Sequence, residues 1–291
     1  MSIPSNTPVT FGIQTMSDVS WSDLRQAWIG YDQAGWDTLW LPDHLLPPHG
    51  GDGPFLEAWT ALSALATATE RARIGVLVTS NTFRHPSVLA KMAVTVDHIS
   101  NGRLILGLGA GWNVPEHEAF GLEFPDTGLR VSQYAESLAL LDQFLRDDLT
   151  TFNGTWYRMA DAPNRPAPVQ RPRLPIIVGA HGPRTIGIAA RHADIWNSRG
   201  TVEEMRERSA RVDEACAKVG REPSAVTRSV SYFPVRTEKR PWESVDAFAD
   251  WVDSYREIGF TDFIFEAPPP EHRAVADRIA TDLLPALRRG E

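Results

Sequence analysis

The sequence predicts a single (β/α)8 barrel, and three observations support this fold class. Eight short segments with strand character alternate along the chain with eight helical segments. The 291 residues are enough for one large core, and no linker interrupts the alternation. The alternative, a doubly wound sheet, more often divides into two domains. We therefore expect one domain over residues 1–291.

The first half of the chain contains four strand–helix pairs. The strands are predicted at residues 9–15, 38–41, 74–78 and 103–108, and the helices at residues 21–34, 56–69, from Pro86 onward, and 130–145. Gly35 follows the first helix as a C′ glycine does, and a short helical turn is expected at residues 116–120. Because two apolar strands flank the Pro86 helix, they are predicted to be parallel neighbours.

Residues 150–170 interrupt the alternation. Asn153-Gly154 is a hairpin signal, and Pro163, Pro166 and Pro168 follow it. Because the alternation resumes immediately, we expect an insertion of about residues 150–174 before the fifth strand, at the C-terminal face of the barrel. The remaining strands are predicted at residues 175–179, 194–197, 227–235 and 261–265, and the remaining helices at residues 183–192, 202–219, 242–258 and 272–287.

The composition argues against several classes of function. The formal net charge of -8 is opposite to that of a general nucleic-acid binder. No apolar run approaches the roughly 20 residues that span a bilayer, and residues 1–6 have neither the basic nor the apolar region of a signal peptide. Cys216 is the only cysteine, so an internal disulfide is excluded. We expect a cytoplasmic protein without nucleic-acid or membrane partners.

Four predicted strands end in polar or glycine-rich residues. These ends are Asp43-His44 after the second strand, residues 79–81 after the third, residues 110–113 after the fourth and residues 179–182 after the fifth. The carboxyl ends of all barrel strands lie at one face, where barrel enzymes carry their chemistry. We therefore expect the active site at this face.

Two of these segments suggest particular chemistry. His44 fits a general acid or base oriented by Asp43, because imidazole titrates near neutral pH. The alternative is that Asp43 caps a loop and His44 packs at the barrel rim. Gly179, Ala180, His181 and Gly182 precede a helix N-terminus, which favours a phosphate, although an ordinary strand–helix loop has similar glycines.

Metal and dinucleotide sites are not supported by the spacing of residues. Asp43, His44, Glu116 and His181 lie in no HxH or HExxH pattern, so no metal is predicted. Residues 107–111 lack the third glycine of GxGxxG and are not followed directly by a helix start.

Four segments resemble the luciferase-like monooxygenase superfamily of flavin- and deazaflavin-dependent barrels: residues 34–46 (AGWDTLWLPDHLL), 79–113, 152–159 and 175–197. The resemblance implies a planar tricyclic cofactor in the barrel mouth and a homodimer. It implies a strand bulge with a cis peptide at Leu77–Val78 behind the ring. By the same match, Asp43, His44, Ser80 and Asn113 would contact the ring or the ribityl chain, and Gly179, Ala180, His181 and Gly182 would hold the phosphate.

Residues 40–44 (WLPDH) resemble the branch that uses coenzyme F420, so F420 is the expected cofactor and FMN the alternative. Ala110 stands where the branch that oxidises sugar phosphates carries a glutamate, so a sugar phosphate is not expected. Arg165 and Arg171 would either grip the acidic tail of F420 or belong to a solvated loop.

The resemblance implies an F420-dependent oxidoreductase that moves a hydride between the deazaflavin and a small organic substrate. His44, oriented by Asp43, would exchange a proton, and Asn113 would position the ring or the substrate. Trp112 and Phe83 would shape an apolar pocket. The alternatives are an FMN-dependent two-component monooxygenase and a non-catalytic flavin-binding barrel.

Overall fold

The computed structural model describes residues 9–48, 50–234 and 240–289. The segment considered for a signal peptide, residues 1–6, lies outside the described residues, as does Val235 at the end of the predicted seventh strand. Within the described ranges, no helix is both long and apolar enough to cross a bilayer.

Eight parallel strands close into a barrel, which confirms the predicted fold. Its strands are β1 (Thr10–Gln14), β2 (Thr38–Leu41), β3 (Arg73–Val76), β5 (Leu104–Gly109), β8 (Ile176–Gly179), β9 (Ile195–Ser198), β10 (Thr227–Tyr232) and β11 (Asp262–Glu266), and β4 (Thr79–Ser80) continues the course of β3. The sheet closes because β1 pairs with both β2 and β11, and β5 pairs with both β3 and β8.

Helices on the outside connect these strands. They are α1 (Trp21–Ala34), α2 (Ala58–Leu65), α3 (Pro86–Ile99), α4 (Val114–Phe120), α5 (Thr127–Arg146), α6 (Pro183–His192), α7 (Val202–Lys218), α8 (Val245–Arg256), α9 (Arg273–Arg278) and α10 (Leu284–Arg289). α1 and α6 have the predicted bounds. α5 begins earlier than predicted because the Asp126 carboxylate accepts hydrogen bonds from the first N–H groups. One π-helical turn, Ile279–Leu283, divides the predicted last helix.

The barrel interior is filled by side chains and so provides a floor for the mouth. Trp40, Leu77, Ile105, Ile177 and Ile264 form this cluster. Trp40 fits because Gly75 on the adjacent strand has no side chain, and a Cβ atom there would lie 2.5 Å from Cζ3 of Trp40. Any ligand is therefore confined to the space above this cluster, at the C-terminal ends of the strands.

The insertion begins as an antiparallel hairpin of β6 (Leu149–Asn153) and β7 (Arg158–Pro163). The hairpin tip is fixed on α5, where the Glu136 carboxylate accepts hydrogen bonds from the N–H groups of Thr155, Trp156 and Tyr157 at 2.9, 2.8 and 2.7 Å. Asn81, just after β4, donates to the Tyr157 hydroxyl at 3.3 Å. The tip therefore lies near the C-terminal face.

The second part of the insertion lies at the opposite end of the barrel, so its predicted position at the C-terminal face was wrong. Asp97, near the end of α3, accepts hydrogen bonds from the N–H groups of Val169 and Gln170. The Gln170 amide also donates to the carbonyl oxygen of Leu104, the first residue of β5. Arg171 is adjacent to this anchor, at the end of the barrel opposite the mouth, which favours the solvated-loop alternative for this residue.

Candidate active site

The structure brings the predicted polar segments together at one end of the barrel. Asp43 and His44 follow β2, Ser80 ends β4, Asn113 caps α4 after β5, and residues 179–182 connect β8 to α6. These segments surround the mouth above the filled interior. No group of three or more potential metal ligands occurs within the described ranges.

His44 is paired with Glu116, a carboxylate that the sequence did not indicate as its partner. Its Nδ1 lies 2.9 Å from Oε1 of Glu116 on α4, and the N–H of Leu45 donates to Oε2 of the same carboxylate at 3.0 Å. Glu116 is 1% exposed. Burial alone would raise a carboxyl pKa, but the hydrogen bonds from His44 and Leu45 lower the pKa of Glu116 below its ordinary value. A buried, ionised carboxylate therefore orients the imidazole.

Asp43 does not orient His44, which corrects the prediction. Its carboxylate accepts two hydrogen bonds from the Arg84 guanidinium, at 2.6 and 3.1 Å, and one from the N–H of Ser80 at 2.8 Å. Burial raises the pKa of Asp43, whereas Arg84 and the Ser80 N–H act in the opposite direction. Asp43 thus connects the end of β2 to β4 through Ser80, and to the loop after β4 through Arg84.

Asn113 lies at the N-terminus of α4 with its side chain available. The residue is 8% exposed, yet its amide makes no capping hydrogen bond, and within the described ranges it has no other side-chain partner. An amide without a protein partner can donate and accept hydrogen bonds, so it suits a polar ligand in the mouth. One helical turn further, Nδ1 of His117 lies 2.6 Å from the Asn113 carbonyl oxygen.

The Leu77–Val78 peptide bond is cis, as the resemblance implied. The Val78 side chain lies between β5 and β8, because a Cβ atom on Gly109 would be 2.6 Å from its Cγ2, and one on Gly179 would be 3.2 Å away. Val78 therefore packs on the interior cluster from above and forms part of the floor of the mouth.

The turn after β8 leads into an uncapped helix. The Ala180 N–H donates to the Asn197 carbonyl, and its own carbonyl accepts from Nε1 of Trp196. Gly182 is the N-cap of α6, has no side chain to cap it, and is followed by Pro183. The first N–H groups of α6 consequently remain available for an anion. Nδ1 of His181 lies 2.6 Å from the Ser198 hydroxyl at the end of β9.

Aromatic side chains stand beside His44. The Trp112 ring, on a residue that is 60% exposed, meets the His44 ring edge to face at 5.3 Å between centroids, and the Phe55 ring lies at 6.5 Å. Phe83, which was expected to shape the pocket, lies 5.0 Å from the His117 ring instead. Trp112 and Phe55 make the surroundings of His44 apolar.

Several residues of this site were missed or misread in the sequence. Arg84, Thr82, His117 and Arg130 were assigned no role, and Glu116 was considered only as a metal ligand. The sequence offered one signal that Glu116 belongs to the mouth. Its i, i+3 spacing from Asn113 places both residues on one side of a short helix.

The sequence is similar to known proteins over most of its length. The profile described as luciferase-like monooxygenase matches residues 1–284. A protein of Beutenbergia cavernae named F420-dependent glucose-6-phosphate dehydrogenase is 29% identical, over 92% of this chain and 94% of that protein. One with the same name from Amycolatopsis mediterranei is 34% identical over 175 residues, and this match spans 51% of its length.

Among solved structures, an F420-dependent secondary alcohol dehydrogenase in complex with an F420-acetone adduct has a TM-score of 0.85. The similarity covers 97% of this chain and 99% of that one at 16% sequence identity, and so supports the shared fold alone. The family profile spans nearly the whole chain, and the closed barrel carries its polar groups at the C-terminal mouth. The chain therefore belongs to the luciferase-like monooxygenase family.

Proposed function

We propose that this protein is an F420-dependent oxidoreductase that transfers a hydride between the deazaflavin and a small organic substrate. The observation that carries the proposal is the buried His44–Glu116 pair at the barrel mouth. The family and the names of the sequence relatives support F420 as the cofactor. When bound, F420 supplies the acceptor or donor of a hydride.

The residues around the mouth fit such a cofactor. Leu77 and Val78 form an apolar floor for a planar ring, and the unpartnered amide of Asn113 can donate and accept hydrogen bonds at its edge. The uncapped N-terminus of α6, after Gly179, Ala180, His181 and Gly182, suits the phosphate.

Arg130 adds positive charge on the same rim. Its guanidinium stacks on Phe124 and donates to the Pro125 carbonyl oxygen, but its buried Nε has no partner within the described ranges. Burial lowers the pKa of Arg130. The first turns of α5 and α6 are adjacent, because Arg184 donates to Ser132 at 3.0 Å. An anion held at α6 would thus partly compensate the buried cation of Arg130.

His44 performs the proton transfer in this proposal. Glu116 accepts only, so Nδ1 of neutral His44 carries the proton and Nε2 is free to act as a base. During alcohol oxidation, Nε2 would take the hydroxyl proton, and bound F420 would supply the acceptor for the hydride, so that the carbonyl product forms. In the reverse direction, the imidazolium of His44 would protonate the oxygen, with F420 as the hydride donor.

The substrate is proposed to be a small alcohol or carbonyl compound without phosphate. Trp112 and Phe55 line the approach to His44 with aromatic rings, which suit an apolar substrate. Ala110 provides no charged group at the position where a glutamate is expected in the sugar-phosphate branch.

The deciding experiment is a side-by-side titration of the purified protein with F420 and FMN, followed by turnover assays with small alcohols. We expect F420 to bind at least ten times more tightly than FMN and to be reduced by an alcohol. Preferential binding of FMN and oxygen-dependent turnover with a reductase would favour a two-component monooxygenase. Binding without any turnover would favour a non-catalytic barrel, in which the buried His44–Glu116 pair has no use.

We also propose that the protein forms a homodimer through the outer face of α2 and α3. A groove of about 310 Å³ runs between these helices, lined by Trp59, Val88 and Met92 among others, and Val88 is 53% exposed. The groove is also lined by Thr60, Ser63, Lys91 and Thr95, so an exposed apolar side chain stands within a polar rim, as in many protein interfaces. Sedimentation of Val88→Glu would test it, since the charge should shift a dimer toward monomer.

The location is proposed to be the cytoplasm, without nucleic-acid partners. With a single cysteine the sequence has no internal disulfide, which fits a reducing compartment, and the net charge of -8 disfavours polyanions. Cell fractionation with an antibody against the protein would test the location.

A further inference from the structure

Behind the mouth, a chain of three hydrogen bonds connects Asn113, His117, Thr82 and Ser80. The Asn113 carbonyl oxygen lies 2.6 Å from Nδ1 of His117, and Nε2 of the same ring lies 2.6 Å from the Thr82 hydroxyl. The Thr82 hydroxyl lies 2.8 Å from the Ser80 hydroxyl. His117 is 1% exposed. The chain therefore runs from a buried imidazole to the wall of the mouth.

Counting protons along this chain gives it a direction. A carbonyl oxygen only accepts, so Nδ1 of His117 must carry a hydrogen, and Nε2 of the neutral ring must accept one from Thr82. Thr82 has a single hydroxyl hydrogen, and His117 takes it. The hydrogen in the Thr82–Ser80 bond must therefore come from Ser80, whose hydroxyl hydrogen points away from the mouth.

Ser80 faces the mouth with its remaining lone pairs. Side chains alternate along a strand, and the hydroxyl of the preceding Thr79 accepts from Nε1 of Trp59 on the outer helix α2, so Ser80 points inward. The hydroxyls of Thr82 and Ser80 lie close to Gly111. A Cβ atom at Gly111 would be 2.8 Å from the Thr82 oxygen and 2.9 Å from the Ser80 oxygen. Thr82 is the only hydrogen-bond partner of the Ser80 hydroxyl within the described ranges, and in this arrangement it accepts.

We propose that Ser80 is an obligate hydrogen-bond acceptor for the bound ligand, and that His117 is the positioning residue that imposes this polarity through Thr82. The ligand group opposite Ser80 must then be an N–H or O–H donor. A deazaflavin offers two such donors, the imide N–H of the ring and the ribityl hydroxyls. The inference rests on the proposed function only in taking F420 as this ligand.

Protonation of His117 would reverse the direction of the hydrogen bonds from His117 through Thr82 to Ser80. With a hydrogen on Nε2, the ring donates to Thr82, Thr82 donates to Ser80, and the Ser80 hydrogen turns toward the ligand donor. The charged groups near the ring are Glu116 on the same helix, which pairs with His44, and Arg130 of α5, which stacks on Phe124 beside His117. The ring nitrogen of His117 that carries the hydrogen therefore decides whether Ser80 accepts from the ligand or donates to it.

The tautomer of His117 is tested without any ligand. Long-range ¹H–¹⁵N spectra of protein labelled at histidine nitrogens distinguish a ring protonated at Nδ1 from one protonated at Nε2, and His117→Gln assigns the signal. We expect the Nδ1–H form at pH 8. An Nε2–H form would overturn the proposal, because Thr82 would then keep its hydrogen for Ser80.

The effect on the ligand is tested with Thr82→Val, which has the same shape but transmits no hydrogen bond, and with Thr82→Ser as the matched control. Ser80→Ala, which has no acceptor at this position, is the third variant, and F420 affinity is measured for each protein at pH 8. We expect Ser80→Ala to weaken F420 binding by up to about tenfold, the effect of one hydrogen bond. Thr82→Val should weaken it less, because the Ser80 oxygen can still accept, and Thr82→Ser should bind F420 as the wild type does.

Wild-type F420 affinity in folded Ser80→Ala would overturn the proposal. The failure of the proposed function has a different signature, because F420 would then bind to none of the proteins. In that case the tautomer of His117 still decides the direction of the hydrogen bonds, and thus whether Ser80 accepts or donates toward the mouth.

Discussion

Nδ1 of His44 and Oε1 of Glu116 lie 2.9 Å apart, although 72 residues separate them in the sequence. The pair joins the loop after β2 to α4, and the Leu45 N–H holds the same carboxylate at 3.0 Å. With Glu116 accepting at Nδ1, the other nitrogen of His44 is set for proton transfer. The first prediction concerns this pair.

Glu116→Gln should lower kcat about 10- to 100-fold and change F420 affinity only a few-fold. The amide keeps the size of the side chain but can present its N–H₂ group to His44, which disturbs the tautomer without removing the base. Steady-state kinetics and F420 titration measure the two effects. Glu118→Gln, an exposed change on the same helix, is the control. Normal kcat in folded Glu116→Gln would exclude the positioning role.

His44→Ala should lower kcat by about 10²–10⁴-fold, the usual contribution of a general acid–base group, and weaken F420 binding far less. Turnover per folded molecule is measured beside cofactor affinity. If His44 only packs at the barrel rim, the variant will lose stability and retain near-normal turnover.

Asp43→Asn should mainly lower stability. It removes the buried charge that pairs with Arg84, which keeps its ion pair with Glu57 at 3.2 Å, so we expect a loss of about 1–3 kcal/mol. Urea unfolding measures this loss, and a double-mutant cycle with Arg84→Met isolates the pair. Since Asp43 does not contact His44, kcat per folded molecule should fall much less than in Glu116→Gln. A kcat defect equal to that of Glu116→Gln would contradict this assignment.

Gly111→Ala should disturb the mouth more than Gly121→Ala. Both glycines have positive φ, +79° and +66°, so both substitutions strain the backbone by about 1–2 kcal/mol. A Cβ atom at Gly111 would also press on the hydroxyl oxygens of Thr82 and Ser80, whereas none of the described atoms lies within 4 Å at Gly121. F420 affinity should therefore fall in Gly111→Ala alone, and equal affinities would contradict the close contact.

Asp32 should make stability depend on pH in the acid range. Burial alone would raise its pKa, but hydrogen bonds from the N–H groups of Ala72, Glu70 and Arg71 lower the pKa below the ordinary 3.8. The folded state thus binds the proton less readily than the unfolded state, and the stabilisation is lost as the pH falls below 3.8. Urea unfolding at pH 7 and pH 3 should show a smaller difference for Asp32→Asn than for the wild type.

The sequence alone determined the barrel and the location of its mouth. Only a few folds with parallel strands are compatible with an alternation of apolar strands and helices. In such folds the carboxyl ends of the strands must share one face. Asp43, Ser80, Asn113 and Gly182 were placed at the mouth on this ground, and the structure has them there. The bounds of α1 and α6 were also readable, because a glycine ends one and a proline begins the other.

The partners of those residues were decided by the tertiary structure. Asp43 and His44 are adjacent in the sequence, which suggested that one orients the other. Successive side chains of an extended segment point to opposite sides, so Asp43 turns to Arg84 while His44 turns to Glu116. His44 reaches its carboxylate only because the barrel brings α4 beside the end of β2, a proximity over 72 residues that no local pattern encodes.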